Sequence, residues 1–364
     1  MKLTISTAKL QDMVMKAVKG AGNNKLVPIT NFMCISGTGG KLTLITTDST
    51  NYLYVVQKDA YEGEEDFYVT VQVEQFSKLL TRITSPNITL EIKGETLEVT
   101  GNGKYTIALQ PDENGELIKY PDPYQKFYNR EGGQNGTEVI DLSDIKTTLN
   151  SVKPALALTM EVPILINYFV GDKVVAADGY KVASYNHPVF NQPALFSGEL
   201  MDLLDVMTDN KITVTLADNH MLFYTDSCII FTYQVEDVEE YPISKIDELL
   251  QVTLNSKCTV NKSDFLALLD RLSLFVSPYD NDTIKMVFSN KDVLISNKSD
   301  NSEESLGYVS SENCTSYVCL VSIEYLLTQI KSCASDNVVL YYGSDSSIKV
   351  VDGDVTKIIA LSTE

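Results

Sequence analysis

Leu10, Met13, Val14, Ala17 and Val18 recur at i, i+3, i+4, i+7 and i+8, one continuous apolar face that predicts a helix near the start of the chain. Ahead of it, Met1-Lys2-Leu3-Thr4-Ile5-Ser6 alternates as a strand does. Further on, Phe67-Tyr68-Val69-Thr70-Val71 predicts another strand, and Phe76-Ser77-Lys78-Leu79-Leu80 a short amphipathic helix. Two alternating runs at 88–92 and 97–99, joined by Lys93-Gly94-Glu95, carry a hairpin signature.

That pattern returns twice, with a period of about 120 residues. Leu-Leu pairs mark the register at Leu79-Leu80, Leu203-Leu204 and Leu326-Leu327. The opening helix reappears with Ile145, Leu149, Val152 and Leu156, and again with Phe265, Leu266, Leu268, Leu269 and Leu272. Asn261 or Ser263 is placed to cap the last of these. Hairpins follow at 212–223 and 338–350. Each copy reads helix, strands, helix, strands, so the fold class is α+β, with two helices packed on β-sheet in each of three domains. Tyr120-Pro121-Asp122-Pro123 and Tyr241-Pro242 stand at equivalent joints, where proline ends a last strand. The boundaries are 1–122, 123–245 and 246–364, the second domain opening with a flexible linker over 123–137 that includes Glu131-Gly132-Gly133-Gln134-Asn135-Gly136.

Charge complicates the picture. A net charge of −20 argues against nucleic acid, because phosphate binding rests on Lys and Arg. Placement matters more than the total. Lys9, Lys16 and Lys19 fall on the polar side of the first helix, and Lys78 and Arg82 lie opposite the apolar face of the second. Lys146 and Lys153 share one side of the next helix, while Lys262, Arg271 and Lys331 belong to helices of the last copy. Acids gather elsewhere, at 62–66, 236–240 and 303–304, although Glu199, Asp202, Asp205 and Asp209 make one helix of the middle copy acidic. Any surface helix carries some lysines, but recurrence on most of six helices points to a mildly positive surface. Such a surface holds phosphates without reading bases.

The candidate chemistry is sparse. Six cysteines are scattered without a CxxC pair and read as buried free thiols of a reducing, cytoplasmic compartment. His187 and His220 have no metal-ligand pattern around them, so neither a metal nor a cofactor is expected. No phosphate-cradling loop or nucleophile elbow is present, so no catalytic residue is assigned and the chain is expected not to be an enzyme. The N-terminus lacks a signal peptide's apolar core, and no apolar run approaches a membrane span.

Several segments resemble the bacterial DNA polymerase III beta-subunit family of sliding clamps. Val27-Pro28-Ile29-Thr30-Asn31-Phe32 is similar to the family's "LPIL" strand, and Lys41-Leu42-Thr43-Leu44-Ile45-Thr46-Thr47-Asp48 to its "LxLxxTD" strand. Val175-Ala176-Ala177-Asp178-Gly179-Tyr180-Lys181-Val182-Ala183 looks like its "ATDGHRLA" segment, and Tyr241-Pro242 like its "FPDY". The resemblance implies a DNA polymerase processivity factor that encircles duplex DNA without sequence specificity and meets polymerase and clamp loader through short peptides. A ring of six domains then requires a head-to-tail homodimer, with Tyr105 and Ile107 meeting Phe275 and Val276 of the other copy. Phe275 and Val276 can equally be ordinary core. The implied partner-peptide pocket uses Leu165, Ala177, Gly179, Tyr180, Lys181, Val182, Pro242, Ser322, Tyr325, Ile358, Ala360 and Leu361. Gly179 and Pro242 can equally be structural turn residues. The DNA-facing set is the helix cations above together with Lys25, which adjoins Asn24 where the family has a basic residue. The tail Ile358-Ile359-Ala360-Leu361-Ser362-Thr363-Glu364 departs from the family's basic, Met- and Pro-bearing end, and 110–136 is longer than usual. These departures, with Asn24, suggest a divergent member of the kind a phage encodes. The rival reading is an acidic three-domain scaffold that binds proteins and does not encircle DNA. Salt-sensitive retention on circular DNA separates the two.

Overall fold

Three times the backbone runs strand, helix, four strands, helix, three strands. The first pass has β1 (Lys2–Ser6), α1 (Thr7–Ala17), β2 (Phe32–Thr38), β3 (Lys41–Thr47), β4 (Asn51–Gln57), β5 (Phe67–Gln72), α2 (Val73–Leu80), β6 (Asn87–Lys93), β7 (Thr96–Thr100) and β8 (Lys104–Ala108). After α3 (Pro123–Tyr128), the second has β9 (Thr137–Asp141), α4 (Leu142–Val152), β10 (Asn167–Val170), β11 (Val174–Ala177), β12 (Lys181–Tyr185), β13 (Ala194–Ser197), α5 (Gly198–Leu204), β14 (Lys211–Ala217), β15 (His220–Tyr224) and β16 (Cys228–Tyr233). After α6 (Ile243–Gln251), the third has β17 (Ser256–Asn261), α7 (Lys262–Leu272), β18 (Thr283–Phe288), β19 (Asp292–Asn297) and β20 (Glu303–Gly307). An extra short β21 (Ser310–Glu312) precedes β22 (Tyr317–Ser322), α8 (Ile323–Lys331), β23 (Asn337–Tyr342), β24 (Ser347–Asp352) and β25 (Val355–Ala360). This computed structural model describes residues 1–61, 66–111, 114–128, 137–159, 161–217, 219–234, 237–277, 282–299 and 301–362.

Local chemistry explains where the helices begin. The Asn261 side chain accepts from the Asp264 N–H at 3.1 Å, the capping role its position suggests. Ser322 does the same for the Tyr325 N–H at 3.4 Å and so starts α8.

By contacts the chain forms two units, residues 1–142 with 199–235, and residues 143–198 with 236–364. The middle pass is thus shared between them. Unit 1 contains the four-stranded sheet β1-β6-β7-β8 and the eight-stranded sheet β5-β2-β3-β4-β16-β15-β14-β9. Unit 2 contains the nine-stranded sheet β13-β10-β11-β12-β25-β24-β23-β17-β21 and the four-stranded sheet β20-β19-β18-β22. The long sheets arise because the third strand after a second helix joins a strand of another pass: β16 pairs with β4, and β25 with β12.

In unit 1, residues 118–128 cross a sheet face rich in aromatic side chains. Tyr120, Tyr124 and Phe127 pack with Tyr52, Tyr54 and Phe231. The Tyr120 hydroxyl donates to the Phe32 carbonyl at 3.0 Å, and the Tyr54 hydroxyl to Asp122 at 2.9 Å. Residues 123–128, expected within a flexible linker, therefore form a docked helix, because the Tyr124 and Phe127 rings gain apolar cover and the Tyr54 hydroxyl a partner in Asp122. The remainder of that linker, 129–136, lies outside the described residues. In unit 2, Phe265, Leu268, Leu269 and Leu272 of α7 pack with Leu326 and Ile330 of α8 over Val338, Leu340, Ile348 and Val350. These are the periodic positions that the sequence marks as one face.

Candidate functional site

The turn between β11 and β12 is shaped by Asp178. Its carboxylate accepts from the Tyr180 N–H at 2.8 Å and the Lys181 N–H at 2.6 Å, while the other oxygen lies 3.0 Å from Lys181 Nζ. Gly179, with φ of 93°, supplies the left-handed backbone the turn requires. The turn thus presents Tyr180, 58% exposed, with its ring 5.8 Å from that of Tyr325 on α8. Lys181 lies 4.6 Å over the same Tyr325 ring, a cation–π contact. Burial pushes the Tyr325 hydroxyl above its ordinary range, so it stays a neutral donor at physiological pH.

These side chains wall a cleft of about 770 Å³, large enough for part of a short peptide. Leu156, Leu158, Val162 and Thr328 also line it, and Leu158 is 95% exposed. Beside it, Leu165, Ala177, Val182 and Ile358 cluster with Tyr241, Phe169 and Ile246. Of the twelve expected pocket residues, then, four form an apolar cluster, and Tyr180, Lys181 and Tyr325 form the wall of an open cleft. Ala360 donates its N–H to the Tyr180 carbonyl at 2.9 Å. Pro242 precedes α6, whose Ile246 enters the cluster. Ser322 is the helix cap described above. Leu361 lies elsewhere: it packs against the α7–α8 core and lines a separate cleft of about 470 Å³ with Lys285 and Val318.

The expected interface residues divide as well. Tyr105 and Ile107 share one face of β8, but Ile107 is covered within its own unit and Tyr105 remains partly open. Phe275 is exposed, while Val276 packs against the unit 2 core.

Residues 1–119 match the family model described as DNA polymerase III beta subunit, N-terminal domain. The likeness to that family in sequence is thus carried by the first pass of the chain. Sequence comparison with curated proteins gives no match. Among solved structures, the chain is similar to the DNA polymerase sliding clamp from Bacillus subtilis at 16% identity and a TM-score of 0.85, covering 100% of this chain and 99% of that one. It is similar to the DNA polymerase III beta chain from Streptococcus pneumoniae TIGR4 at 16% identity and 0.84, covering 100% of both. The DNA polymerase III beta subunit from Thermotoga maritima gives 18% and 0.81, covering 100% and 99%. The fold of the whole chain is the sliding-clamp fold.

Within this clamp fold several of the helix cations are engaged. Lys16 pairs with Asp12 at 2.8 Å and Lys78 with Glu74 at 2.5 Å, each along its own helix. Arg271 forks onto Glu304, and Lys331 lies 3.6 Å from Asp270. Lys9, Lys19, Lys25, Arg82 and Lys153 are exposed, and Lys146 is half-buried. The Lys262 ammonium donates to the Cys333 carbonyl just past α8, where a cation complements the helix dipole. Among the described residues no helix is long and apolar enough to cross a membrane, and no cluster suits a metal ion.

Sequence reasoning missed Leu158, Val162 and Thr328 in the cleft, and Leu274, 80% exposed beside Phe275. Leu156-Ala157-Leu158 extends the helical period beyond Pro154, so Leu158 reads as core when it is surface.

Proposed function

We propose that the chain is a DNA polymerase processivity factor, a cytoplasmic protein whose two copies close head-to-tail into a ring around duplex DNA. One observation carries this reading. Beginning at the third residue of β2, cross-strand pairing runs Cys34, Ile45, Tyr54, Ile229, Tyr224. Beginning at the third residue of β10, it runs Phe169, Val175, Ser184, Thr356, Val351. The two junctions therefore share one register. From the third residue of β18 the row runs Lys285, Ser296, Glu303 and stops, because β20 is an outer strand. The strand equivalent to β16 and β25 is β8, also an outer strand, where Lys104 pairs with Thr100. Unpaired edges invite a matching strand. The same register would put Glu303 opposite Lys104 of a second copy, a favourable cross-strand pair, with Tyr105 beside it.

Three passes per chain, taken as domains 1–122, 123–245 and 246–364, would give the ring six. The ion-paired helices support weak, non-specific phosphate contact, so topology rather than affinity would retain the ring on DNA. The cleft bounded by Tyr180, Tyr325 and Leu158, with the Val182–Ile358 cluster, would take a short apolar peptide from polymerase or clamp loader.

Light scattering at micromolar concentration should give twice the chain mass of 40.4 kDa. Glu303→Lys and Lys104→Glu should each weaken the dimer roughly tenfold by creating like-charge pairs, and the double variant should recover it. A monomeric wild type, or a double variant no better than the singles, contradicts the ring.

A further inference from the structure

Lys357 is a fully buried lysine in the middle of a sheet, on β25. Its ammonium donates to the Gln329 carbonyl at 2.8 Å and to the Ser332 hydroxyl, and stands 3.6 Å from the Cys333 sulfur. Cys333 is itself almost fully buried, and its thiol donates to the Gln329 carbonyl at 3.4 Å. The Gln329 side-chain amide, also fully buried, has no hydrogen-bond partner. Ser332, which touches the lysine, lines the 770 Å³ cleft. A thiol and an amine are thus held within hydrogen-bond reach, one side chain behind the wall of that cleft.

We infer that Cys333 and Lys357 are a peroxide-responsive pair that closes into a sulfur–nitrogen cross-link. The sequence of steps balances. The thiol proton passes to the lysine nitrogen, and the thiolate attacks hydrogen peroxide, breaking the O–O bond. The leaving hydroxide takes that proton back from the lysine nitrogen and departs as water, leaving Cys333 as sulfenic acid and Lys357 as free amine. The neutral lysine nitrogen then attacks that sulfur, the S–N bond forms, and the sulfenic oxygen leaves as a second water. Sulfur is oxidised by two electrons and peroxide is the oxidant. Two equivalents of an external thiol reverse the reaction, regenerating thiol and amine while becoming a disulfide.

The surroundings favour the amine. Burial lowers the Lys357 ammonium below its usual range, which supplies free amine. Burial pushes the Cys333 thiol up, so it rests protonated and relies on the Lys357 amine as the base that takes its proton. The bond would tie α8, which bears Tyr325 and Thr328, to β25, which bears Ile358. It does not require that the cleft bind a peptide.

Full-length protein is treated with graded hydrogen peroxide, remaining thiols are alkylated, and a non-reducing digest is read by mass spectrometry. The expected product joins the Cys333 and Lys357 peptides with a loss of about 2 Da and is released by dithiothreitol. Lys357→Arg, which keeps the charge but not the amine nucleophile, should lose the product, as should Cys333→Ser. The wild-type mass decides the matter even if either variant folds poorly. Overoxidation of Cys333 to sulfinic acid without a cross-link, or an unmodified Cys333 when the more open Cys314 is fully oxidised, would overturn the inference. So would a bridge that retains the oxygen.

Discussion

Two turns at equivalent places show how one backbone serves two ends. In unit 1, Asp48 accepts from the Thr50 N–H at 2.8 Å and the Asn51 N–H at 2.7 Å, with Ser49 at φ of 93° between them. In unit 2, Asp178 makes the same two bonds around Gly179, also at φ of 93°. The turn itself is therefore structural in both. What differs is its cargo: Thr50 and Asn51 in one, Tyr180 and Lys181 in the other. The helices diverge in the same way. The third and sixth residues of α5 are Leu200 and Leu203, both buried, whereas those of α8 are Tyr325 and Thr328, which line the cleft. The joints differ too, since the Tyr120 hydroxyl has a carbonyl partner and the buried Tyr241 hydroxyl has none. A cleft exists where aromatic and hydroxyl side chains replace leucines on an unchanged frame.

The largest effect should come from the closed side. Leu203→Ala should cost about 2–5 kcal/mol in chemical denaturation, because it opens a cavity in a packed core. Thr328→Ala at the equivalent position of α8 should change stability by about 0.5 kcal/mol or less. Equal costs would mean that α8 is as tightly built in as α5, and the contrast would fail.

This comparison also locates what the sequence could and could not disclose. The repeat, the apolar faces of α1 and α7 and the hairpins were legible, because periodicity reports burial within one element. The Asp178-Gly179-Tyr180-Lys181 turn was legible through its resemblance, and Asp178 and Gly179 also through turn chemistry. The joining of β16 to β4 and β25 to β12 was not, since pairing over such separations leaves no local mark. Nor was the burial of Lys357: a lysine in the run Thr356-Lys357-Ile358-Ile359 reads as an edge or surface position, yet β25 is paired on both sides. That placement also makes Val182 and Ile358 poor probes of the cleft, because charge or truncation there would disrupt the sheet before it touched a ligand.

Exposed cleft residues are better probes. Tyr180→Ala should weaken binding of an apolar polymerase-derived peptide about tenfold, as removal of a central aromatic contact commonly does. Titration calorimetry on the folded protein would show it. Thr50→Ala, its counterpart in unit 1, should leave the affinity unchanged. If Tyr180→Ala binds as tightly as wild type, the peptide does not use this cleft.

The smallest effect tests the frame that both turns share. Ser49 holds a left-handed backbone that disfavours a side chain, and glycine relieves that strain at no packing cost. Relief of strain is opposed by the greater freedom glycine gives the unfolded chain, so the net gain from Ser49→Gly should be about 0.5–1 kcal/mol. Gly179→Ala imposes the reverse change and should lose about 1 kcal/mol, although nothing lies within 4 Å of the added methyl. Matched shifts of opposite sign in denaturation midpoints would show that backbone strain, not contact, sets these positions. A Gly179→Ala protein as stable as wild type would mean the unit 2 turn adapts where the unit 1 turn does not. Tyr180 would then sit on a looser support than Asp178 and its two N–H partners imply.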